Sequence, residues 1–180
     1  MKNNEINILA ISGSLRSTSA NTNILRAIAA MVPQNIAVNI WEGLDSLPHF
    51  NPELEEVFLP VVNFRQKLKE ADAVIFSTPE YAFGVPGVLK NALDWVVSSG
   101  ELNGKPVAAI GASPLYSGGE KALASLFLTL TALGTDMGNG SALSIGDIKN
   151  KMTAEGEISD HQTLQALMQL LEDLIKRVSV

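Results

Sequence analysis

Ile6-Asn7-Ile8-Leu9-Ala10-Ile11-Ser12-Gly13-Ser14-Leu15-Arg16-Ser17-Thr18-Ser19-Ala20-Asn21 holds three signals in succession. The apolar run Ile6–Ile11 reads as a buried strand, Gly13 to Ser19 as a loop of glycine and hydroxyl residues, and the pattern from about Asn21 as a helix. A strand, a small polar loop and a helix start together make an anion site. The first N–H groups of a helix have no internal partner, and the helix dipole places positive potential at that end. Ser14, Ser17, Thr18 and Ser19 supply hydroxyl donors, and Arg16 adds a charge that does not titrate. Taken alone, the stretch fits an ordinary capped polar turn as well as a phosphate site.

Working outward, strand and helix patterns alternate. Ile24, Leu25, Ile28, Ala29 and Val32 recur at helical spacing before Pro33, and Ile36–Trp41 reads as a second strand. A turn-rich segment, Gly43 to Glu56, leads to Pro60 as a first helical position, with Val61, Phe64, Leu68 and Ala71 on one face. Ala73–Ser77 is almost wholly apolar, as a central parallel strand is, and Pro106–Gly111 is the fourth strand. A helix is expected over Gly119–Leu133, buried on more than one side, and a fifth strand within Asp136–Ile145. The last helix opens with a capping-box spacing, Ser159 and Gln162. Its stripe is Leu164, Leu167, Met168, Leu171, Leu174, Ile175 and Val178. This alternation specifies an α/β domain whose parallel sheet is covered on both faces, with ligands beyond the carboxyl ends of its strands.

Composition narrows the function. The 180 residues suit one domain, and 46% hydrophobic with 18% charged residues is a globular balance. A net charge of −6 argues against nucleic acid as a partner. With no cysteine, disulfides, thiol catalysis and thiolate metal sites are excluded. The start, Met1–Glu5, carries no apolar leader, and no run is long and apolar enough to span a bilayer. No membrane partner and a cytoplasmic location are therefore expected. His49 and His161 are too isolated to nominate as metal ligands, so no metal site is expected.

The loops after the third and fourth strands repeat the character of the first. Thr78–Gly87 carries Pro79 and Pro86 as stiffeners with Gly84 and Gly87 between or beside them, and Ala112–Gly119 is again small, polar and glycine-rich. Such loops at successive strand ends point to one composite ligand site. A Walker loop is excluded by the missing Gly-Lys-Ser/Thr, and a G-x-G-x-x-G dinucleotide loop by the single Gly13. Gly111-Ala112-Ser113-Pro114-Leu115 lacks the second glycine of a nucleophile elbow.

The chain resembles the NAD(P)H-dependent FMN reductase family, the flavodoxin-like group that includes quinone, chromate and azo-dye reductases. Its G-S-L-R-x-x-S-x-N loop is matched by Gly13, Ser14, Leu15, Arg16, Ser19 and Asn21. Its P-E-Y-N and P-G-x-L-K-N-x-x-D-W signatures are matched by Pro79, Glu80 and Tyr81, then by Pro86, Gly87, Leu89, Lys90, Asn91, Asp94 and Trp95. Leu47-Pro48-His49-Phe50-Asn51 is similar to its L-P-x-F-N connection, and Gly118-Gly119 to its G-G after the fourth strand. The chain departs from the pattern at Ala82, where the family has the asparagine of P-E-Y-N, and at Phe127, where many members have arginine.

The resemblance implies a flavodoxin-like doubly wound five-stranded parallel sheet, with residues 1–180 forming a single FMN-binding domain. It implies the FMN phosphate on Ser14, Arg16, Ser19 and Asn21. The flavin ring would lie against Pro79, Glu80, Tyr81, Ala82, Phe83 and Gly84, and Ser113 with Gly118 would close the site. The implied reaction is ping-pong hydride transfer from NAD(P)H through FMN to a flavin, quinone, chromate or azo acceptor. No catalytic side chain is required, because the flavin carries the chemistry. A flavodoxin-like electron carrier and a flavin-poor binding or regulatory protein are the rival readings on the same fold. Apolar residues beyond what one sheet face buries, Trp95, Leu128 and Phe127 on the helices Val85–Val97 and Gly119–Leu133, lead to an expected homodimer or tetramer.

Overall fold

The structure is a computed structural model that describes residues 5–54 and 58–178. Its strands are β1 (Ile6–Ser12), β2 (Ile36–Trp41), β3 (Ala73–Thr78), β4 (Val107–Ala112) and β5 (Ala142–Ile145). All pair in parallel, in the order β2-β1-β3-β4-β5. The helices are α1 (Ala20–Met31), α2 (Leu59–Glu70), α3 (Gly87–Asp94), α4 (Glu120–Ala132) and α5 (His161–Val178). The chain turns one way from β1 to β2 and the other way from β3 onward. Right-handed crossovers therefore put the intervening helices on opposite faces.

The pleat divides the core accordingly. Leu9, Ile11, Val74 and Phe76 face α2, α3 and α4 through Phe64, Leu93 and Leu126. Ile8, Ala10, Ile75 and Ile110 face α1 and α5 through Ile24, Leu25, Leu167 and Leu174. β3 and β4 are buried along their whole length, which explains why they read as continuous apolar runs. The topological switch lies between β1 and β3. Among the described residues no helix is long and apolar enough to cross a membrane.

Several expectations need correction. Pro60 is the second helical residue of α2, with Phe58 at the cap. The turn-rich segment contains short 3-10 turns at Leu44–Ser46 and Pro52–Leu54, while its end at Glu56 lies outside the described residues. α3 stops at Asp94. Beyond it, Trp95, Val96 and Val97 continue as turns, the latter two donating to carbonyls three residues back. Trp95 is fully buried and does not contribute to an exposed patch; its Nε1 donates to the Pro48 carbonyl at 2.8 Å. The same carbonyl accepts from Asn91 Nδ2 at 2.9 Å, so the Leu47–Asn51 connection is stitched to α3. α4 buries one face only, and its outer residue Leu128 is 76% exposed in the single chain.

The start of α5 is also capped differently from the expected Ser159/Gln162 box. Asp160 accepts from the Thr163 backbone N–H at 2.8 Å and from its hydroxyl at 2.6 Å. Both groups sit three residues on, the usual span from cap to orphan donor. On the helix stripe Leu170 is buried, whereas Met168 faces solvent. The Thr163 side chain first, then its backbone N–H, holds the Asp160 carboxyl below its ordinary range. A depressed carboxylate contributes stability that is present above its unfolded pKa and lost as pH falls through the folded one. Asp160→Ala is therefore expected to lower the urea midpoint at neutral pH and Ser159→Ala to leave it in place. The Asp160→Ala deficit should shrink as pH falls below the ordinary carboxylate range, in unfolding curves followed by circular dichroism.

Candidate functional site

The site is built on the turn between β1 and α1. Gly13 donates its N–H to the Ser77 carbonyl at 2.8 Å, which ties the loop to the end of β3. A Cβ on Gly13 would stand 3.0 Å from Leu89 Cδ2 and 3.2 Å from Thr78 Oγ1, so a larger residue here would require those side chains to give way. Hydroxyls then shape the loop from within. Ser14 N–H donates to Ser12 Oγ, Arg16 N–H to Ser14 Oγ, and Thr22 Oγ1 to Ser12 Oγ.

At the head of α1 the cap residue Ser19 is extended and makes no side-chain cap hydrogen bond. A serine in this position ordinarily satisfies an N–H of the first turn with its own hydroxyl. Among the described residues no hydrogen bond from the Ala20, Asn21 and Thr22 N–H groups or from the Ser19 hydroxyl is seen, which leaves them for another acceptor. Asn21, two residues on, is 3% exposed and turned to the sheet. Its Oδ1 accepts from Ser77 Oγ at 2.9 Å and its Nδ2 donates to the Ala112 carbonyl at 3.3 Å.

A cavity of about 550 Å³ opens over these strand ends, a size suited to a small-molecule ligand. Ser14, Arg16, Ser17, Thr18, Ser19 and Asn21 line one end; Pro79, Glu80, Tyr81 and Ser113 line the other side. The structure thus brings most of the expected site residues to one cavity. Ala82, Phe83 and Gly84 are not among its lining, and Gly118 packs instead against Ser144–Gly146 of β5 and the turn after it. Glu80 has a clear structural task. Its Oε2 accepts from the Lys121 and Ala122 backbone N–H groups at 2.9 and 3.0 Å, capping α4 from the β3 loop.

Tyr81 and Gly84 exchange both backbone hydrogen bonds at 3.0 Å, so residues 81–84 form a tight hairpin. Its two central residues, Ala82 and Phe83, have φ of 50° and 61°. That left-handed pair is the primed turn that favours asparagine or glycine. The asparagine expected at position 82 thus has a backbone reason as well as a hydrogen-bonding one. Phe83, at the tip, is 78% exposed.

The lining also includes residues that the sequence did not bring forward: Asn23, Arg26, Lys149 and the turn Met152–Gly156. Arg26 adds a second guanidinium beside Arg16, and its Nη1 donates to Asn23 Oδ1 at 2.8 Å. Glu155 faces the same space as an acid. Its own backbone first, then the Thr153 side chain, keeps that carboxyl below its ordinary range. Polar character at Thr153–Gly156 was visible in the sequence, but the turn follows the uncertain fifth strand and carries no motif to link it to the first loop.

An open α/β sheet in the order 2-1-3-4-5, with an anion-ready helix start at the β1/β3 switch, defines a flavodoxin-like protein with a mononucleotide-type site. Residues 6–149 match the family model for NADPH-dependent FMN reductase, and the chain belongs to that family. It is 34% identical to an NAD(P)H-dependent FMN reductase of Pseudomonas aeruginosa, with 94% of each chain covered. It is 31% identical to a quinone reductase of Escherichia coli K12, with 98% of each covered. Among solved structures it is similar to FerB, an NAD(P)H:(acceptor) oxidoreductase from Paracoccus denitrificans. That match has a TM-score of 0.87, 27% identity and 97% of each chain covered.

The 81–84 hairpin gives a direct test of backbone strain. Ala82→Asn is expected to raise the stability of the flavin-free protein by about 0.5–1 kcal/mol, and Ala82→Val to lower it by more than about 1 kcal/mol. Urea denaturation without added flavin checks both.

Proposed function

We propose that this chain binds FMN with its phosphate at the head of α1 and passes reducing equivalents from NAD(P)H to a small acceptor in two separate steps. As a member of its family it is an NAD(P)H-dependent oxidoreductase that works with FMN. The observation that carries the placement is Ser19, a cap residue that leaves the first turn of α1 unsatisfied beside an arginine-bearing cavity.

The donor set fits that group. Hydroxyls of Ser14, Ser17, Thr18 and Ser19, the α1 N–H groups and Arg16 suit a dianionic monoester. Pro79, Tyr81, Pro114 and Met152 offer apolar surface for a flat ring system. FMN, when bound, supplies the hydride-accepting chemistry. The residues around it position and desolvate. Pro79 and the 81–84 hairpin hold one side rigid, and Ser113, with its N–H donating to Ile145, is fixed by β5. No side chain in the cavity is required to titrate. The broad acceptor range expected of the enzyme then follows from an open face, not from a tailored acid or base.

A homodimer or tetramer in the cytoplasm completes the reading. Its support is Leu128, together with Val97 just past α3, both large apolar residues facing outward in the single chain.

Arg16→Ala is expected to weaken FMN by about tenfold or more and riboflavin by less than about twofold, since only FMN carries the phosphate. Fluorescence titrations with both ligands measure the two effects, and equal weakening contradicts the phosphate placement. Steady-state rates over a grid of NADPH and quinone concentrations should give parallel double-reciprocal lines. Intersecting lines contradict the two-step order.

A further inference from the structure

Two asparagine–glycine pairs stand in the chain, Asn103-Gly104 and Asn139-Gly140, and neither borders the cavity. This dipeptide carries an intrinsic reaction. The glycine nitrogen, with no side chain on its own residue to hinder it, attacks the asparagine Cγ and closes a succinimide. The side-chain Nδ2 leaves as ammonia, taking up the proton that the backbone nitrogen loses. Water then opens the ring at either carbonyl. One opening leaves aspartate; the other leaves isoaspartate, with the former side-chain carbonyl in the main chain. The reaction needs only water and a peptide plane free to rotate toward the side chain.

The two pairs share a local shape. Each forms the centre of a four-residue turn, closed by Lys105 N–H on the Leu102 carbonyl at 3.1 Å and by Ser141 N–H on the Gly138 carbonyl at 3.2 Å. Both glycines have positive φ, 69° at Gly104 and 80° at Gly140, and both asparagines are exposed. Hydrogen bonding separates them. Gly104 N–H donates to the Gly134 carbonyl at 2.8 Å, so the peptide that must rotate is tied to the turn that ends α4. Among the described residues no hydrogen bond is seen from Gly140 N–H, to the Asn139 carbonyl or at the Asn139 side chain.

The base of the second turn is nonetheless held on both sides. Before it, Arg177 Nη1 donates to the Asp136 carbonyl at 2.6 Å and Nη2 to the Val107 carbonyl at 2.9 Å. After it, the Ser141 carbonyl accepts from Ala109 N–H at 2.7 Å. The Asn139–Gly140 peptide can therefore rotate while every strand and helix stays closed.

We propose that Asn139 is a site of spontaneous covalent modification, converting through a succinimide to isoaspartate and aspartate in the folded protein, while the fold protects Asn103. Neither step involves the cofactor. Isoaspartate adds a methylene to the main chain between two anchored points, just ahead of the edge strand β5 at Ala142. The new carboxylate arrives beside that of Asp173, which lies close to Gly140. Chain length and like charge then both act on how β5 is held.

The test is incubation of the purified full chain in mildly alkaline buffer, native and in guanidinium chloride. Mass spectrometry follows the Asn103 and Asn139 peptides, and enzymatic carboxyl methylation counts isoaspartate. The denatured chain supplies the intrinsic rate of each pair. The Asn139-to-Asn103 rate ratio is expected to be about fivefold or more higher in the folded protein than in the denatured one, the scale of one retained hydrogen bond. A rise of less than about fivefold overturns the proposal, as does an Asn139 peptide that stays intact in the folded protein while it converts in denaturant. Asn139→Gln should remove most of the ammonia that the folded wild type releases. Undiminished release places the chemistry at another residue and also overturns it.

Discussion

The bonds that Asn21 makes from the first turn of α1 fix everything else at this site. Its buried amide reaches Ser77 at the end of β3 and Ala112 at the end of β4, so the helix start is locked across the switch point of the sheet. A buried amide left without these partners costs about 1–3 kcal/mol, which makes the register of α1 on the sheet hard to change. The consequence is geometric. The open donors of α1 and the loops after β3 and β4 face one another over a single cavity. Gly13 ties the loop between strand and helix to the end of β3 through its N–H on the Ser77 carbonyl, with little room beside Thr78 and Leu89 for a side chain.

A scaffold of this kind suits chemistry carried by a bound ring. Rigid elements place backbone donors and apolar surface, and a reactive side chain is not needed. The carboxylate with the most suggestive position, Glu80, is instead spent on the N-terminus of α4. It thereby links the β3 loop to the helix behind the β4 loop, which makes the two loops one body. Strain is accepted at the Ala82–Phe83 hairpin for the same end: a tight turn at the cavity's edge holds its shape better than a relaxed longer one.

Much of this was legible in the sequence because it depends on local signals. Continuous apolar runs gave β3 and β4, helical spacing gave α1 and α5, and residues of the small polar loops after β1, β3 and β4 line one cavity. What stayed hidden was relational. Asp160 and Ser159 are both competent caps, and only the helix's starting residue decides between them. Trp95 reads as a candidate interface residue until the Pro48 carbonyl is seen to receive its N–H. Asn21 reads as a phosphate ligand by motif, but its side chain faces the sheet, a direction set by packing. The turn Thr153–Gly156 lies more than a hundred residues from the first loop, and only the fold brings the two to one cavity.

The central claim, that the unsatisfied head of α1 receives the phosphate of FMN, is most directly tested by amide NMR of the ¹⁵N-labelled protein titrated with FMN and, separately, with riboflavin. The account predicts large shifts of the Ser19, Ala20 and Asn21 N–H resonances with FMN and little change there with riboflavin, while the Tyr81–Gly84 signals respond to both. Equal shifts of the α1 signals with the two ligands, or none with FMN at saturation, would contradict it.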